Sequence, residues 1–291
     1  MHNIYAVVVA FFPSASNLLK MVSELVEQGV KVIIVNNTPG HLISLPEFSN
    51  GFVINLQHNK GIAEAQNIGV RYALDCNATH ICFFDQDSII PNEYIQEMIV
   101  ASSIYNHRCL LAPVAIDDDT GGEIPSHKIN RFGYPCNHYS LSGVMISNTD
   151  IVISSGMFTS SAIFHEVGLM DVDYFIDFVD IEFCIRLKKA GIPVFVIPSL
   201  SMRHRIGDGE VSVLGLKTSI HSGIRTYYKT RNAFVFMYKM GPSIFSFVQL
   251  FAGILHGFLS SVHDFPSIDR MRFYLKGIVH GLMFKRGALS E

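Results

Sequence analysis

The sequence predicts an α/β fold with a mixed, mainly parallel sheet flanked by helices. Three observations lead there. Short runs rich in Val and Ile alternate with segments of helical periodicity over the first hundred residues. The runs are almost continuously apolar, as strands covered on both faces must be. Several of them end in polar or turn-forming residues, on the side of such a sheet where ligands bind.

Residues 4–11 form the first expected strand. Leu18, Leu19, Val22, Leu25 and Val26 stand at helical spacing within residues 17–28. Residues 30–35 and 52–56 read as strands, and Ile62, Ala65, Ile68 and Ala73 mark a helix over 61–74. A fourth strand spans 80–84, and a helix over 92–105 follows Pro91. Residues 109–153 are less regular, and Asp117–Gly122 reads as a solvated acidic turn. The apolar N-terminus lacks a preceding Lys or Arg, so it reads as a buried strand rather than a signal peptide.

Charge divides the chain. Residues 1–219 hold 13 Lys/Arg against 22 Asp/Glu, whereas residues 220–291 hold 9 against 3. An acidic body with a basic, apolar tail suits an anionic lipid or phosphate partner. Nucleic acid is not expected, because the basic residues are interleaved with aliphatic runs and no recognition module is visible. The expected division is therefore 1–220, the α/β body, and 221–291, a helical segment that contacts the membrane. Residues 240–262 contain no Asp, Glu, Lys or Arg, but Pro242, Gln249 and His256 dilute the run. An in-plane amphipathic helix pair is favoured over a span. The five cysteines, Cys76, Cys82, Cys109, Cys136 and Cys184, are scattered without a C-x-x-C pair, which fits a reducing compartment.

Asp85-Gln86-Asp87 closes the fourth strand. Carboxylates this close repel unless a cation lies between them, although an acidic turn has the same composition. A second acidic cluster comprises Asp177, Asp180 and Glu182. Asp177 could cap a helix beginning near Val179, and Glu182 with Arg186 has the spacing of an exposed helix pair. Asp180 sits among Phe178, Val179 and Ile181, where burial would raise its pKa and make it a base. His204 is a candidate metal ligand, and Arg203 and Arg205 could face phosphate. Further on, Arg225, Tyr228 and Arg231, or Arg225, Lys229 and Asn232, share a helical face. Two arginines and a tyrosine at that spacing could clamp a diphosphate, and the alternative is a basic helix face lying on lipid.

The ordered set of motifs resembles the family 2 glycosyltransferases of GT-A fold, and most of all their bacterial rhamnosyltransferase branch. The pieces that carry the resemblance run from Val7–Pro13 through Val35–Thr38, Asn59–Ala63, Ala65–Gly69, Phe84–Ser88, Ser155-Gly156 and Phe175–Phe183 to Arg225–Asn232. The resemblance implies that Phe12, Asn36, Asn59 and Asn67, with Asp85, line the nucleotide site. It implies Mg²⁺ or Mn²⁺ on Asp85 and Asp87, with His204 a possible third ligand. Asp180 would be the general base. Arg225, Tyr228 and Arg231 would hold the diphosphate, with Asp177, Gly156 and Glu182 in acceptor or supporting roles.

The implied reaction is inverting transfer of L-rhamnose from dTDP-β-L-rhamnose to a lipid-linked oligosaccharide. It would occur on the cytoplasmic face of the bacterial membrane, during O-antigen or capsule synthesis. A UDP-hexose donor is the alternative. Two positions depart from the family pattern: Asn36 stands where Asp is frequent, and Val179 stands where Glu usually precedes the catalytic Asp. A sugar-nucleotide pyrophosphorylase is disfavoured because Phe12-Pro13-Ser14 lacks a glycine-rich phosphate loop. A non-catalytic carbohydrate-binding module is disfavoured because Asp85, Asp87 and Asp180 are all retained.

Overall fold

The structure is a computed structural model that describes residues 2–44, 51–141, 143, 146–204, 210–213, 216–219, 222–262 and 268–289. Its first half follows the expected alternation: β1 (Ile4–Ala10), α1 (Ala15–Glu27), β2 (Lys31–Asn36), β3 (Gly51–Asn55), α2 (Gly61–Asp75), β4 (His80–Asp85) and α3 (Tyr94–Ile104). The irregular middle resolves into β5 (Leu110–Asp117), β6 (Glu123–Ile124), a hairpin of β7 (Ser126–Ile129) and β8 (Pro135–His138), and β9 (Ser147–Thr149). β10 (Phe158–Ser160), α4 (Ala162–Val167), a 3₁₀ turn (Val172–Tyr174), α5 (Val179–Lys189) and β11 (Val194–His204) follow. β12 (Glu210–Val213) and β13 (Leu216–Ser219) form a separate ribbon, and α6 (Gly223–Met240), α7 (Ile244–Val262) and α8 (Ile268–Leu282) end the chain.

The main sheet runs β3-β2-β1-β4-β10-β5-β11-β9, with β6 added beside β5. Strands β1 to β4 are parallel, and β10 is inserted antiparallel between β4 and β5. Val9 pairs with Asp85 and Ala10 with Asn36, so the polar ends of β1, β2 and β4 share one rim. β11 runs parallel to β5 and carries His204 to the same rim.

Alternate residues of β1 feed two cores. Tyr5, Val7 and Val9 meet α2, α5 and α6, while Ile4, Ala6, Val8 and Ala10 meet α1 and α3. Gly69 lets α2 lie directly on β1, since any Cβ there would collide with the Val7 side chain.

The C-terminal helices are not an appendage. Ala233, Val235 and Phe236 of α6 and Phe245 of α7 belong to the same core cluster as Val7, Phe83 and Phe183. The 220/221 division is thus a change of composition that leaves α6 inside the catalytic core. α7 runs back along α6, with Gly253 against Ala233 and Gly257 against Thr230. α8 packs on the same helix through Gly277 against Tyr227 and Gly281 against Phe234. Both helices therefore use a Gly-x-x-x-Gly face to approach α6 closely, a packing device of small residues.

Candidate active site

The rim is held together largely by buried amides. Phe12 follows β1 with φ 48° and is 63% exposed, packed T-shaped against Phe11 at 4.8 Å, an exposed aromatic ring on which a base could stack. Its N–H donates to Thr38 Oγ1 at 2.8 Å. Gln86, between the two aspartates, accepts from Phe11 N–H at 2.6 Å and donates to Phe11 C=O at 3.1 Å, tying β4 to the end of β1.

Asn36 is fully buried. Its Nδ2 donates to His41 C=O and Asn55 Oδ1, both at 2.7 Å, and its Oδ1 accepts from Thr38 N–H at 3.1 Å. A carboxylate could not make the first two bonds, which gives a local reason for Asn here. Asn67 is also buried, making reciprocal 2.8 Å bonds to the Met170 backbone. Asn36 and Asn67, expected at the nucleotide site, are thus buried and bonded within the rim. Asn59 is exposed at the surface, where Asn37 donates to its Oδ1 at 2.9 Å. Asn37, which also accepts from Lys60 N–H at 2.8 Å, was missed as a rim-ordering residue.

Asp85 and His204 approach each other, with Oδ2 and Nδ1 3.7 Å apart. Burial raises the Asp85 pKa and so does Asp87, while His204 and Arg225 oppose the shift. Ser155 fixes this strand end: its Oγ accepts from Asp85 N–H at 3.3 Å and lies 2.7 Å from Ser88 Oγ. Sequence reading noted Ser155 beside Gly156 but assigned it no role. Asp87 is exposed, and with Ser88, Asp118, Arg203 and His204 it lines a cavity of about 350 Å³.

Among the described residues no three ligating side chains stand together at metal-holding distances. Even so, two carboxylates and an imidazole on one rim form a donor set suited to Mg²⁺ or Mn²⁺. Arg205 lies outside the described residues.

Asp180 stands in the first turn of α5, and burial raises its pKa to about 6. Its bond from Ile181 N–H opposes the shift, while Asp177 and Asp85 add to it. The Asp85 effect means that the two acidic clusters, almost a hundred residues apart in sequence, lie within each other's field.

The segment leading to Asp180 is unusual: Phe175, Asp177 and Phe178 have φ of 65°, 61° and 67°. Non-glycine residues pay for such conformations, so surrounding structure must hold them. The holding groups are Arg231 and Asn232. Arg231 donates to the carbonyls of Asp173 and Tyr174 at 3.0 Å, and Asn232 donates to those of Tyr174, Ile176 and Asp177 at 2.9, 2.7 and 3.1 Å. Ile62 N–H, at the start of α2, donates to Phe175 C=O at 2.7 Å.

Several expected roles change accordingly. Arg231 is fully buried and bonds backbone, so it is scaffold and not a diphosphate contact. Tyr228 is buried too: its ring stacks on Phe175 at 4.6 Å, and its OH accepts from Leu289 N–H at 2.8 Å. Asp177 is not a helix cap, since Phe178 occupies that position. It instead pairs with Arg225, Nη2 to Oδ1 at 3.2 Å and Nε at 3.3 Å from both oxygens.

Glu182 and Arg186 are not an exposed pair. Glu182 is buried, accepts from Arg186 Nε at 2.6 Å, and shares that arginine with Leu169 C=O at 2.7 Å. Gly156 has φ 81° and packs where a Cβ would stand 2.7 Å from the Pro113 ring, so its role is close packing. Of the two helical faces open in the sequence, the one bearing Arg225 and Lys229 points toward the carboxylates. Burial lowers the Lys229 pKa, Asp177 draws it up and Arg225 pushes it down. Lys229 was left out of the expected contacts although its i,i+4 spacing from Arg225 was visible.

A mixed, mainly parallel sheet carrying acidic residues at its carboxyl rim, with a shielded carboxylate beside them and cations on a covering helix, has the architecture of a GT-A-like transferase. Residues 6–168 match the model of Glycosyl transferase family 2, and the chain belongs to that family. It is 36% identical over 283 residues, 96% of this chain and 95% of the relative, to "dTDP-rhamnosyl transferase RfbF" of Shigella flexneri.

Solved structures share the fold at low identity. GalNAc-T7 with UDP, GalNAc and Mn²⁺ superposes with a TM-score of 0.56 at 12% identity, over 87% of this chain and 54% of that one. S. aureus TarS 1-349 in complex with UDP-GlcNAc gives 0.54 at 13% identity, over 98% and 82%.

Proposed function

We propose that this glycosyltransferase moves L-rhamnose from dTDP-β-L-rhamnose to a hydroxyl of a lipid-linked glycan, with inversion, in cell-surface polysaccharide synthesis. The observation that carries the chemistry is Asp180, whose pKa of about 6 is set by burial and by Asp177 and Asp85. It is ionised at neutral pH yet still a useful base. The similarity to a dTDP-rhamnosyl transferase along nearly the whole chain supports the donor.

In this reading Phe12 and Asn59 receive the nucleoside, while Asn36, Asn37 and Asn67 order the backbone around it. Asp180 takes the acceptor proton. The oxygen forms a bond to the anomeric carbon from the face opposite the diphosphate. The bond from that carbon to the leaving oxygen breaks, and its electron pair departs with dTDP. Arg225 and Lys229 stabilise the developing diphosphate charge from the first turns of α6. Mg²⁺ or Mn²⁺ held by Asp85 and Asp87, with His204 beside them, would supply further positive charge there. The protein would work as a peripheral enzyme on the inner face of the bacterial membrane.

The test is thermal stabilisation by dTDP and by UDP, each with Mn²⁺, followed by nucleotide release from a donor panel. Preferential stabilisation by dTDP, and release from dTDP-rhamnose, is expected. Asp87→Ala should abolish the metal-dependent part of the stabilisation. Preference for UDP with turnover of a UDP-hexose would replace the donor. Metal-dependent stabilisation of Asp87→Ala equal to that of wild type, or wild-type donor affinity that is the same with and without metal, would remove the metal role.

A further inference from the structure

We infer that the chain docks in-plane on an anionic bilayer through a composite surface. Its parts are the outer stripe of α7, the tip of the β7–β8 hairpin and the outer face of α8. This deepens the membrane part of the proposed function and rests on it for its purpose. The surface itself is argued from packing and charge.

α7 is largely inside out. Its buried face joins Phe245 and Leu259 to the small residues Ser246, Gly253, Gly257, Ser260 and Ser261, whereas Ile244, Phe247, Phe251 and Phe258 are 53, 54, 68 and 42% exposed. The outward residues follow helical spacing along one stripe. A surface helix facing water has the opposite arrangement. Four large apolar groups in a row also mark a partner surface better than scattered exposure does.

The helix is long and apolar enough to cross a bilayer. Its small-residue face is nevertheless committed to α6, where a Cβ on Gly253 would stand 2.5 Å from that of Ala233. Crossing would tear that packing apart. Lying in the interface keeps it and immerses only the stripe.

The hairpin extends the stripe from a distant part of the sequence. Phe132 and Tyr134 are 63 and 53% exposed at its tip. Gly133 between them abuts the first turn of α7, with a Cβ there falling 3.4 Å from Ile244 Cβ. Arg131 lies over the Phe132 ring at 4.6 Å, so a cation accompanies the aromatic tip. Aromatic side chains with a polar end or a neighbouring cation favour the level of lipid headgroups.

α8 continues the surface on the other side, joined through Phe258 and Tyr274, whose rings are 6.4 Å apart. Its exposed Leu275, Val279 and Leu282, followed by exposed Met283, are interspersed with exposed Arg272 and Lys276.

Charge decides the occupant. A second copy docking on this surface would bring its exposed Arg131, Arg272 and Lys276 against the same cations of the first, with Asp269 the opposing charge on α8. Anionic headgroups complement the same charge. The arrangement also serves the reaction: Ser260 near the end of α7 meets Thr226 at 3.5 Å, one residue from Arg225 at the carboxylate cluster. The docked helix would therefore run along the wall of the site that receives a membrane-anchored acceptor.

The chain has no tryptophan, so a single introduced one reports its own surroundings. Phe251→Trp and Tyr134→Trp should each shift their emission to the blue on adding phosphatidylcholine vesicles containing phosphatidylglycerol. Val100→Trp, on the exposed outer side of α3, should not shift. In co-sedimentation with the same vesicles, F247S/F251S, F132S/Y134S and R272E/K276E should each weaken binding by about tenfold or more. Stabilisation by dTDP should persist in all three, which also shows that they fold.

Absence of a shift in both tryptophan variants overturns the inference. So does an equal shift at Val100→Trp, or a concentration-dependent dimer that buries the stripe. Vesicle binding without dTDP stabilisation would leave the docking intact and remove only the donor assignment.

Discussion

Asp180 owes its chemistry to its surroundings. Its folded pKa of about 6 lies above the ordinary 3.8, so the folded state binds its proton more tightly than the unfolded chain does. That difference opposes folding once the pH exceeds both values and is absent below about pH 4. Asp180→Asn should therefore be more stable than wild type at pH 8, by up to ~3 kcal/mol, with the gap closing near pH 4. The same substitution should lower transfer by ~10²–10⁴-fold while leaving dTDP binding near normal. In the wild type, kcat/KM should rise with pH and level off above about 6, as the base ionises. Melting curves at several pH values and a nucleotide-release assay check all of this, and a pH-independent rate would remove Asp180 as the base.

At the scale of elements, the decisive contact is between α6 and the segment before α5. Two neighbouring residues of α6 point in different functional directions from Arg225. Arg231 and Asn232 hold the backbone of residues 173–177, and Arg225 reaches the acidic side chain of Asp177. Arg231→Met should unpair buried carbonyls and lose stability by ~3–5 kcal/mol, read as a lower Tm. Arg225→Gln, partly exposed, should leave Tm within a few degrees but weaken donor stabilisation and raise the donor KM. The reverse pattern would return Arg231 to the diphosphate. Periodicity placed both arginines on a basic helix but could not tell them apart. What separates them is the close approach of α6 to a strained loop from fifty residues upstream.

For the molecule as a whole, the charge boundary and the core boundary do not coincide. Ala233, Val235, Phe236 and Phe245 lie beyond the change in composition yet pack in the same cluster as Val7 and Phe183. Residues 1–220 alone would expose that cluster and lose the Arg231 and Asn232 bonds. This fragment should lack a cooperative thermal transition while keeping much of its far-UV circular dichroism. A cooperative melt at the full-length temperature would show that the core is complete without α6.

The sequence by itself determined the sheet, its rim and the chemical types gathered there. Continuously apolar runs and period-3.6 patterns in the first hundred residues specify buried strands and one-faced helices, and strand ends carry their residues to a common edge. Hence Phe12, Asp85 and Asp87 were legible, and Asp180 stood out as an acid among apolar neighbours. Only the tertiary structure decided which polar residues are left open at the rim and which hold the backbone. Asn36, Asn67, Tyr228, Arg231 and Glu182 all have ligand-binding side chains, but each is buried and bonded inside. Burial and partner choice depend on contacts between distant segments, and a local pattern contains no record of them. The inside-out face of α7 has the same origin: its hydrophobicity is in the sequence, but the side that meets α6 is fixed by where its glycines can touch another helix.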